Sequence, residues 1–266
     1  MELPRAWRRP DPLRGLEDVP WEDMSDGRGC AAGIDDLLRR CTDPDAAVRA
    51  AAIDELSDRL LTDDTVSEAS AYAAPFLVEL GASYKVAADV RDRIIFLLAA
   101  LALASRGFID DGKRTRRRWN AAGRELPRLA PDWITQTRHA VATGALKIFE
   151  SLGREEVACG IALAIAVPEV VQPFTGMVMH GIAHDGEKPT SLMTEAAAIA
   201  EHLVEGCETS ELVLLATAQG HTELLRTYED EARPAHQPND LTMAIMGYRY
   251  AYLAAYGVDP RPPKGS

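Results

Sequence analysis

The sequence predicts an all-α fold in which helical hairpins stack side by side. Apolar residues recur at helical spacing from Ile34 to Leu61 and again from Asp89 to Ala104. No segment alternates polar and apolar residues between hairpin turn signals, so strands are not expected. A single helical hairpin has an apolar face that it cannot bury alone. Stacking further hairpins beside it would bury that face, and this predicts a series of them.

The first hairpin has its turn at Asp43-Pro44-Asp45. Asp43 can cap the second helix, Pro44 suits its first position, and Asp45 places a carboxylate at the positive end of the helix dipole. One face of this helix is apolar and consists of Val48, Ala52, Ile53, Leu56 and Leu60. The charged residues lie off that face, at Arg49, Asp54, Glu55, Asp58 and Arg59.

The turn DPDAAVR, followed by AxxxLxxxL, resembles the second half of a HEAT-like repeat; the match is clear over residues 34–61 and tolerable to residue 104. The resemblance implies an α-α superhelix, a HEAT/armadillo-like solenoid of about six helical hairpins, whose concave surface binds partners. It also implies that Asp43 and Arg49 brace neighbouring repeats. The VR pair recurs at Val90-Arg91, but Lys85 stands where the bracing Asp would be. Beyond residue 105 the repeat pattern is degenerate.

The same reading divides the chain into three parts. Residues 1–29 are expected to form an irregular arm or cap, which Trp7 and Trp21 would anchor on the first helices. Residues 30–258 are expected to form a single solenoid domain, and residues 259–266 a tail. Inside the domain, the charged stretch 105–132 predicts an inserted loop or short helix. Pro75 is expected to kink or divide the helix that starts near Ser67.

The composition excludes several classes of protein. The chain has 41 acidic and 29 basic residues and a formal charge of -12, so duplex nucleic acid would be repelled on average. The four cysteines form no CxxC pair, which predicts free thiols and no zinc ribbon. The N-terminus lacks the apolar core of a signal peptide, and no run approaches 18 uninterrupted apolar residues. The expected location is cytoplasmic, without membrane contact.

One concentrated positive patch stands out against this acidic background. It consists of Lys113, Arg114, Arg116, Arg117 and Arg118, with Trp119 adjacent. Such a patch can clamp an anion or phosphate, or contact an acidic partner. The favoured interpretation is a solvated loop whose bases meet the acidic residues of the protein itself.

Two histidines have a spacing that suits metal binding. His180 and His184 stand four residues apart and would share a helical face, so that two imidazoles could hold one ion. However, Gly181 stands where a zincin has its glutamate, and spacing identifies no third ligand. No metal is therefore expected. If the pair lines a pocket, it could perform acid–base work with Asp185 as the orienting group.

A row of tyrosines marks the C-terminal helix. Tyr248, Tyr252 and Tyr256 recur at four-residue intervals. Such a row usually packs on a neighbouring helix with its hydroxyls at the edge. The alternative is the wall of a ligand pocket. The sequence contains no GxSxG, Walker A or dinucleotide fingerprint, so no cofactor is expected.

These observations rank three functions. The first is a non-enzymatic module that binds another protein on the concave surface, as a scaffold or immunity-type partner. The second is a small-molecule-binding or tailoring enzyme with a pocket in the divergent C-terminal half. Its candidate walls are His180, His184, Asp185, Tyr248 and Tyr252. The third is nucleic-acid binding through residues 113–118, which the acidic total charge disfavours.

Overall fold

The computed structural model describes residues 11–62, 65–121, 132–153, 156–171, 191–205, 240–258 and 260. Within these ranges the chain is predominantly helical, as predicted. Contacts divide it into two compact units, Met1–Ser151 and Leu152–Ser266. The division falls inside the range 30–258 that the sequence analysis assigns to one domain. None of the described helices is both long and apolar enough to cross a membrane.

Unit 1 combines helices with two very short antiparallel strand pairs. Its described helices are α1 (Ile34–Arg40), α2 (Ala46–Leu60), α3 (Glu68–Gly81), α4 (Ala88–Ala121) and α5 (Asp132–Phe149). Its described strands are β1 (Ser25–Asp26), paired with β2 (Gly29–Cys30), and β3 (Leu61–Thr62), paired with β4 (Thr65–Val66). The expectation of no strands is wrong here, because a strand of two residues is too short to show alternation in sequence.

The N-cap of helix α2 lies two residues after the predicted one. Its N-cap is Asp45, whose carboxylate accepts a hydrogen bond from the Ala47 N–H at 2.8 Å. The prediction that Asp43 caps this helix is wrong. The Asp43 carboxylate accepts from the Asp45 N–H at 2.8 Å, so it closes the turn that precedes the helix.

The predicted apolar face of α2 is largely confirmed. Ala52, Ile53, Leu56 and Leu60 are buried, and Val48 is half-buried. Helix α3 runs through Pro75 without being divided. Pro75 is exposed, and the carbonyl that loses its helical donor there belongs to half-buried Ala71.

Helix α4 is central to unit 1 and packs against α2, α3 and α5. Arg49 pairs with Asp89, and Asp54 pairs with Arg93, so α2 runs parallel to α4. Helix α5 runs antiparallel to α4. Near the start of α4, Arg91 bonds to Ser151, just beyond the end of α5, whereas further along α4 the Ala102 carbonyl accepts from Arg138, near the start of α5. Only six residues connect α3 to α4, which also makes these two antiparallel. Helices α3 and α5 are consequently parallel neighbours.

The sequence predicts an inserted loop or short helix over residues 105–132; residues 105–121 form neither a loop nor a separate short helix, because they continue α4 to Ala121. This stretch lacks apolar periodicity, yet arginine, lysine and alanine all favour helix. Positive side chains are also favourable in the last turns of a helix, where the dipole is negative. Residues 122–131 lie outside the described part of the chain.

Unit 2 contains four described helices: α6 (Val157–Ala166), α7 (Pro168–Val171), α8 (Ser191–Glu205) and α9 (Asp240–Tyr256). Residues 158–166 of α6 are all buried, and α6 packs against both α8 and α9. Gly247 lets α9 approach its neighbours closely. An added Cβ there would lie 2.8 Å from Ile165 Cδ1 and 2.9 Å from Ile199 Cγ2.

Candidate functional site

Arg49 links the first hairpin to the second. Its Nη1 donates to the carbonyl oxygens of Asp43 and Pro44, both at 2.9 Å, and its Nη2 lies 3.0 Å from Asp89 Oδ2. Of the two residues that the HEAT-like resemblance marks as a brace, Arg49 thus reaches α4. Asp43 contributes its backbone carbonyl, and the carboxylate partner is Asp89.

Arg91, the second arginine of the VR pattern, has a related role. It is buried, its Nε donates to the Gly81 carbonyl at 3.3 Å, and its Nη2 donates to the Ser151 carbonyl at 2.9 Å. A cation is favourable beside the carbonyl ends of helices. Arg91 therefore ties the C-terminal ends of α3 and α5 to the start of α4, although Lys85 replaces the bracing Asp.

A buried ion pair between Asp26 of the N-terminal segment and Arg59 of α2 was not predicted from sequence. Arg59 lies off the apolar face of α2, as expected, but it is buried against Asp26, whose side chain is fully buried. Its Nη2 also donates to the carbonyls of Cys30 at 2.9 Å and Ala32 at 2.8 Å. The signal available in sequence was the glycine in the two-residue loop Gly27-Arg28, because glycine is typical of turns.

The β1–β2 hairpin covers the C-terminal end of α2. The Gly27 N–H donates to the Arg59 carbonyl at 2.7 Å, which satisfies one of the orphan carbonyls at the helix end. A Cβ at Gly27 would lie 3.0 Å from the Asp58 carbonyl oxygen. Trp21 is buried and its ring lies 6.5 Å from that of Phe76, so this segment is attached to α3 as well. Trp7 lies outside the described residues.

Helices α3 and α5 form an exposed face with apolar side chains. Tyr72 of α3 is 43% exposed and Leu146 of α5 is 37% exposed. Pro75, His139 and Thr143 are exposed on the same two helices. We call these five residues the α3–α5 face. Aromatic and apolar residues with few charges are typical of the centre of a protein–protein interface.

The two helices of this face are held at close range. Gly144 of α5 lies against Val78 of α3, where an added Cβ would be 2.9 Å from Val78 Cβ. One turn further on, Lys147 pairs with Glu79. This register brings Tyr72 roughly level with His139, since parallel helices keep a constant offset along their length. The exposed residues of α3 and those of α5 therefore lie at similar levels along two closely packed helices.

The tyrosine row is formed in α9. The ring centroids of Tyr248 and Tyr252 are 6.2 Å apart, and those of Tyr252 and Tyr256 are 4.7 Å apart, with tilted planes. All three side chains are half-buried. Burial raises the pKa of the Tyr248 phenol, and the neighbouring Tyr252 and Tyr256 add to the increase. A phenol hydroxyl can both donate and accept a hydrogen bond.

Two buried carboxylic acids of unit 2 were not singled out from sequence. Glu195 of α8 is 2% exposed, and Glu156, just before α6, is 4% exposed. The Glu156 carboxylate accepts from the Gly153 N–H at 2.6 Å, which fixes the start of the helix. Glu195 directly precedes the apolar run from Ala196 to Ala200, and this position was the available signal.

The other predicted site residues lie at the end of α4 or outside the described part of the chain. The basic residues Lys113, Arg114, Arg116, Arg117 and Arg118 lie on the last turns of α4 instead of a loop. His180, His184 and Asp185 lie outside the described residues. Among the residues that the structure describes, no three His, Cys, Asp or Glu side chains are grouped so as to hold a metal ion.

Comparison with known proteins adds no relative. No family model matches the sequence, and neither curated proteins nor solved structures give a match. The packed helices of the described chain are compatible with a helical repeat.

Proposed function

We propose that this protein is a non-enzymatic scaffold that binds another protein on the surface of stacked helical hairpins. The packing in unit 1 supports the architecture: α2 lies beside α4 and α3 beside α5, each pair parallel. Alternate helices of a chain become parallel neighbours when consecutive hairpins stack in the same orientation. A HEAT-like solenoid is the arrangement that continues this pattern.

The observation that carries the binding proposal is the α3–α5 face. Tyrosine is among the residues that contribute most when an interface forms, and Tyr72 presents its ring to solvent beside Pro75. Leu146 extends the apolar surface on the neighbouring helix. By contrast, α2 and α4 meet through the charged pairs Arg49–Asp89 and Arg93–Asp54, which stabilise the stack and leave less apolar surface for a partner.

Site-specific photocrosslinking tests this proposal. A photoreactive phenylalanine analogue replaces Tyr72 in the full chain, expressed in its native cells. The matched control carries the analogue at Tyr84, an exposed tyrosine in the connection between α3 and α4. We expect a crosslinked adduct of one defined mass from position 72 and none of that mass from position 84. The same adducts from both positions, or none from position 72, would contradict the proposal.

A second candidate is a small-molecule site in unit 2. It is favoured by the half-buried row of Tyr248, Tyr252 and Tyr256, because phenols supply contact area and hydrogen-bonding groups to ligand pockets. Replacement of Tyr248 and Tyr252 by phenylalanine removes both hydroxyls and keeps the rings. A metabolite that raises the melting temperature of the wild-type protein should then lose its effect. If no member of a metabolite panel shifts the wild-type melting temperature, this candidate fails.

A further inference from the structure

The last turns of helix α4 have the densest positive charge in the chain. Residues 113–118 contain one lysine and four arginines, in a protein with a formal charge of -12. The structure makes this segment part of a helix that runs without a break from Ala88 to Ala121.

The helix register places this segment beyond its neighbours in unit 1. Arg91 bonds to Ser151 and Arg138 to Ala102, so the antiparallel register brings Asp132, the first residue of α5, beside about residue 109. The first residue of α3, Glu68, lies at a similar level, because Gly81 at the other end of α3 lies beside Ile94 and α3 is 14 residues long. Helix α2 ends earlier still. None of the other described helices of unit 1 therefore runs alongside residues 113–118.

Distance along α4 separates this positive charge from the acidic residues of the other described helices of unit 1. At a rise of about 1.5 Å per residue, residues 113–118 extend from about 6 to about 14 Å beyond the level of Asp132. The Debye length at physiological ionic strength is about 8 Å. The negative charges on α1, α2, α3 and α5 are thus largely screened at the far end of the cluster. Repulsion by these four helices is therefore weak for an anion that approaches from that end.

We propose that the end of α4, residues 113–119, binds single-stranded nucleic acid. The guanidinium groups of arginine form bidentate hydrogen bonds with phosphate, and four of the five bases are arginines. Trp119 follows the cluster directly, and an indole can stack on a base, whereas a carboxylate of an acidic polypeptide has no such face. This binding is separate from the protein-binding proposal, because it uses a different helix.

The composition of the segment disfavours a membrane surface. A helix that lies in a lipid interface needs a continuous apolar face. Between Arg106 and Ala121 the large apolar residues are Phe108, Ile109 and Trp119, too few for such a face over four turns.

Fluorescence anisotropy with a labelled 20-nucleotide oligothymidylate tests the proposal on the full chain. We expect binding at 50 mM salt that weakens steeply by 200 mM, with a log–log slope of about -2 to -4 for three to five phosphate contacts. The variant Arg114→Gln/Arg116→Gln/Arg117→Gln keeps helix propensity and should bind at least about 10-fold more weakly. Trp119→Ala should weaken binding about 5-fold or more through lost stacking.

The control removes the same charge elsewhere. Arg14, Arg39 and Arg40 lie in the N-terminal segment and in α1, Arg14 and Arg39 being exposed and Arg40 half-buried. Their triple change to glutamine should leave the affinity within about 2-fold. Circular dichroism checks that both variants keep the helix content of the wild type.

Three results would overturn the proposal. The first is no binding at 50 mM salt, and the second is an equal loss in the control variant. The third is tighter binding of a competitor, either polyglutamate or vesicles that contain phosphatidylserine, than of the oligonucleotide. That result would assign the segment to an acidic polypeptide or to a membrane surface, respectively.

Discussion

Gly144 sets how closely helices α3 and α5 approach. An added Cβ would lie 2.6 Å from one methyl carbon of Val78 and 2.9 Å from its Cβ, well inside van der Waals contact. Val78 is buried and branched at Cβ, so it has little freedom to move aside. A residue without a side chain is therefore required at this crossing.

Gly144→Ala should destabilise the protein. Overpacking costs about 1–3 kcal/mol, and the better helix propensity of alanine offsets up to about 1 kcal/mol of that. Urea denaturation should show a loss of about 1–2 kcal/mol. Thr143→Ala, one residue away and exposed, is the control and should change stability by less than about 0.5 kcal/mol. A neutral or stabilising Gly144→Ala would contradict the close approach.

Cys41 should be chemically inert in the folded protein. Burial raises the pKa of its thiol to about 12, and the charges of Arg93 and Arg40 lower it only in part. Because only the thiolate reacts, a maleimide or disulfide reagent at pH 8 should label exposed Cys30 and leave Cys41 unmodified until denaturant is added. Peptide mapping by mass spectrometry measures both sites. Rapid labelling of Cys41 without denaturant would contradict its burial.

The same thiol makes stability depend on alkaline pH. Its pKa in the folded protein lies above the ordinary value of 9.0, so the folded state holds the proton more tightly than the unfolded state. This contribution to stability is complete below pH 9 and is lost as the pH rises towards 12. Cys41→Ala should remove that part of the alkaline decline, which urea titrations at pH 8 and pH 10.5 would detect.

Among the helices, the joint between α2 and α4 depends on Arg49 more than on Asp89. Arg49 has a side chain that is only 12% exposed and donates to two backbone carbonyls, whereas the Asp89 side chain is 53% exposed. An exposed ion pair contributes at most about 1 kcal/mol because water screens it. Hydrogen bonds from a charged group that is largely buried contribute about 1.5–3 kcal/mol.

Replacement of the two partners separately tests this inequality. Arg49→Ala should lower the free energy of unfolding by about 2–3 kcal/mol, and Asp89→Ala by less than about 1 kcal/mol. High salt should weaken the effect of Asp89→Ala and leave most of the effect of Arg49→Ala. Equal losses for the two variants would show that the ion pair, and not the turn carbonyls, is the main role of Arg49.

Sequence patterns predicted the helices better than their ends. The apolar face of α2 was predictable because Ala52, Leu56 and Leu60 recur at four-residue intervals. The true length of α4 was not predictable from sequence. Residues 105–121 lack apolar periodicity, and periodicity detects only helices that bury one side. The pairing of β1 with β2 depends on Arg59, which is distant in sequence and contributes no local signal.

At the scale of the whole molecule, the candidate sites were less predictable than the fold. The charge at residues 113–118 was visible in sequence, but its position beyond α5 follows from the α4–α5 register. The α3–α5 face was not anticipated, because exposure of Tyr72 and Leu146 depends on which sides of α3 and α5 face α4. A single helix pattern shows which residues are apolar, and only the packing of several helices shows which of these remain exposed.

The two compact units have separate apolar cores, one around α4 and one around α6. Each core has its own glycine at a tight helix crossing, Gly144 in unit 1 and Gly247 in unit 2. These crossings allow the units to be perturbed one at a time. A chain with two independent cores is expected to depart from two-state unfolding.

Differential scanning calorimetry of the two glycine variants tests that expectation. We predict two transitions in the wild-type chain. Gly144→Ala should lower the temperature of one transition by several degrees, and Gly247→Ala should lower the other, because a loss of about 1 kcal/mol shifts the melting temperature of a domain of 100 to 150 residues by about 3–6 °C. The double variant should show both shifts unchanged, since sites that share no partners add independently. A single transition that both variants shift equally would mean that the cores unfold as one cooperative structure, and the division at Ser151 would then have no thermodynamic counterpart.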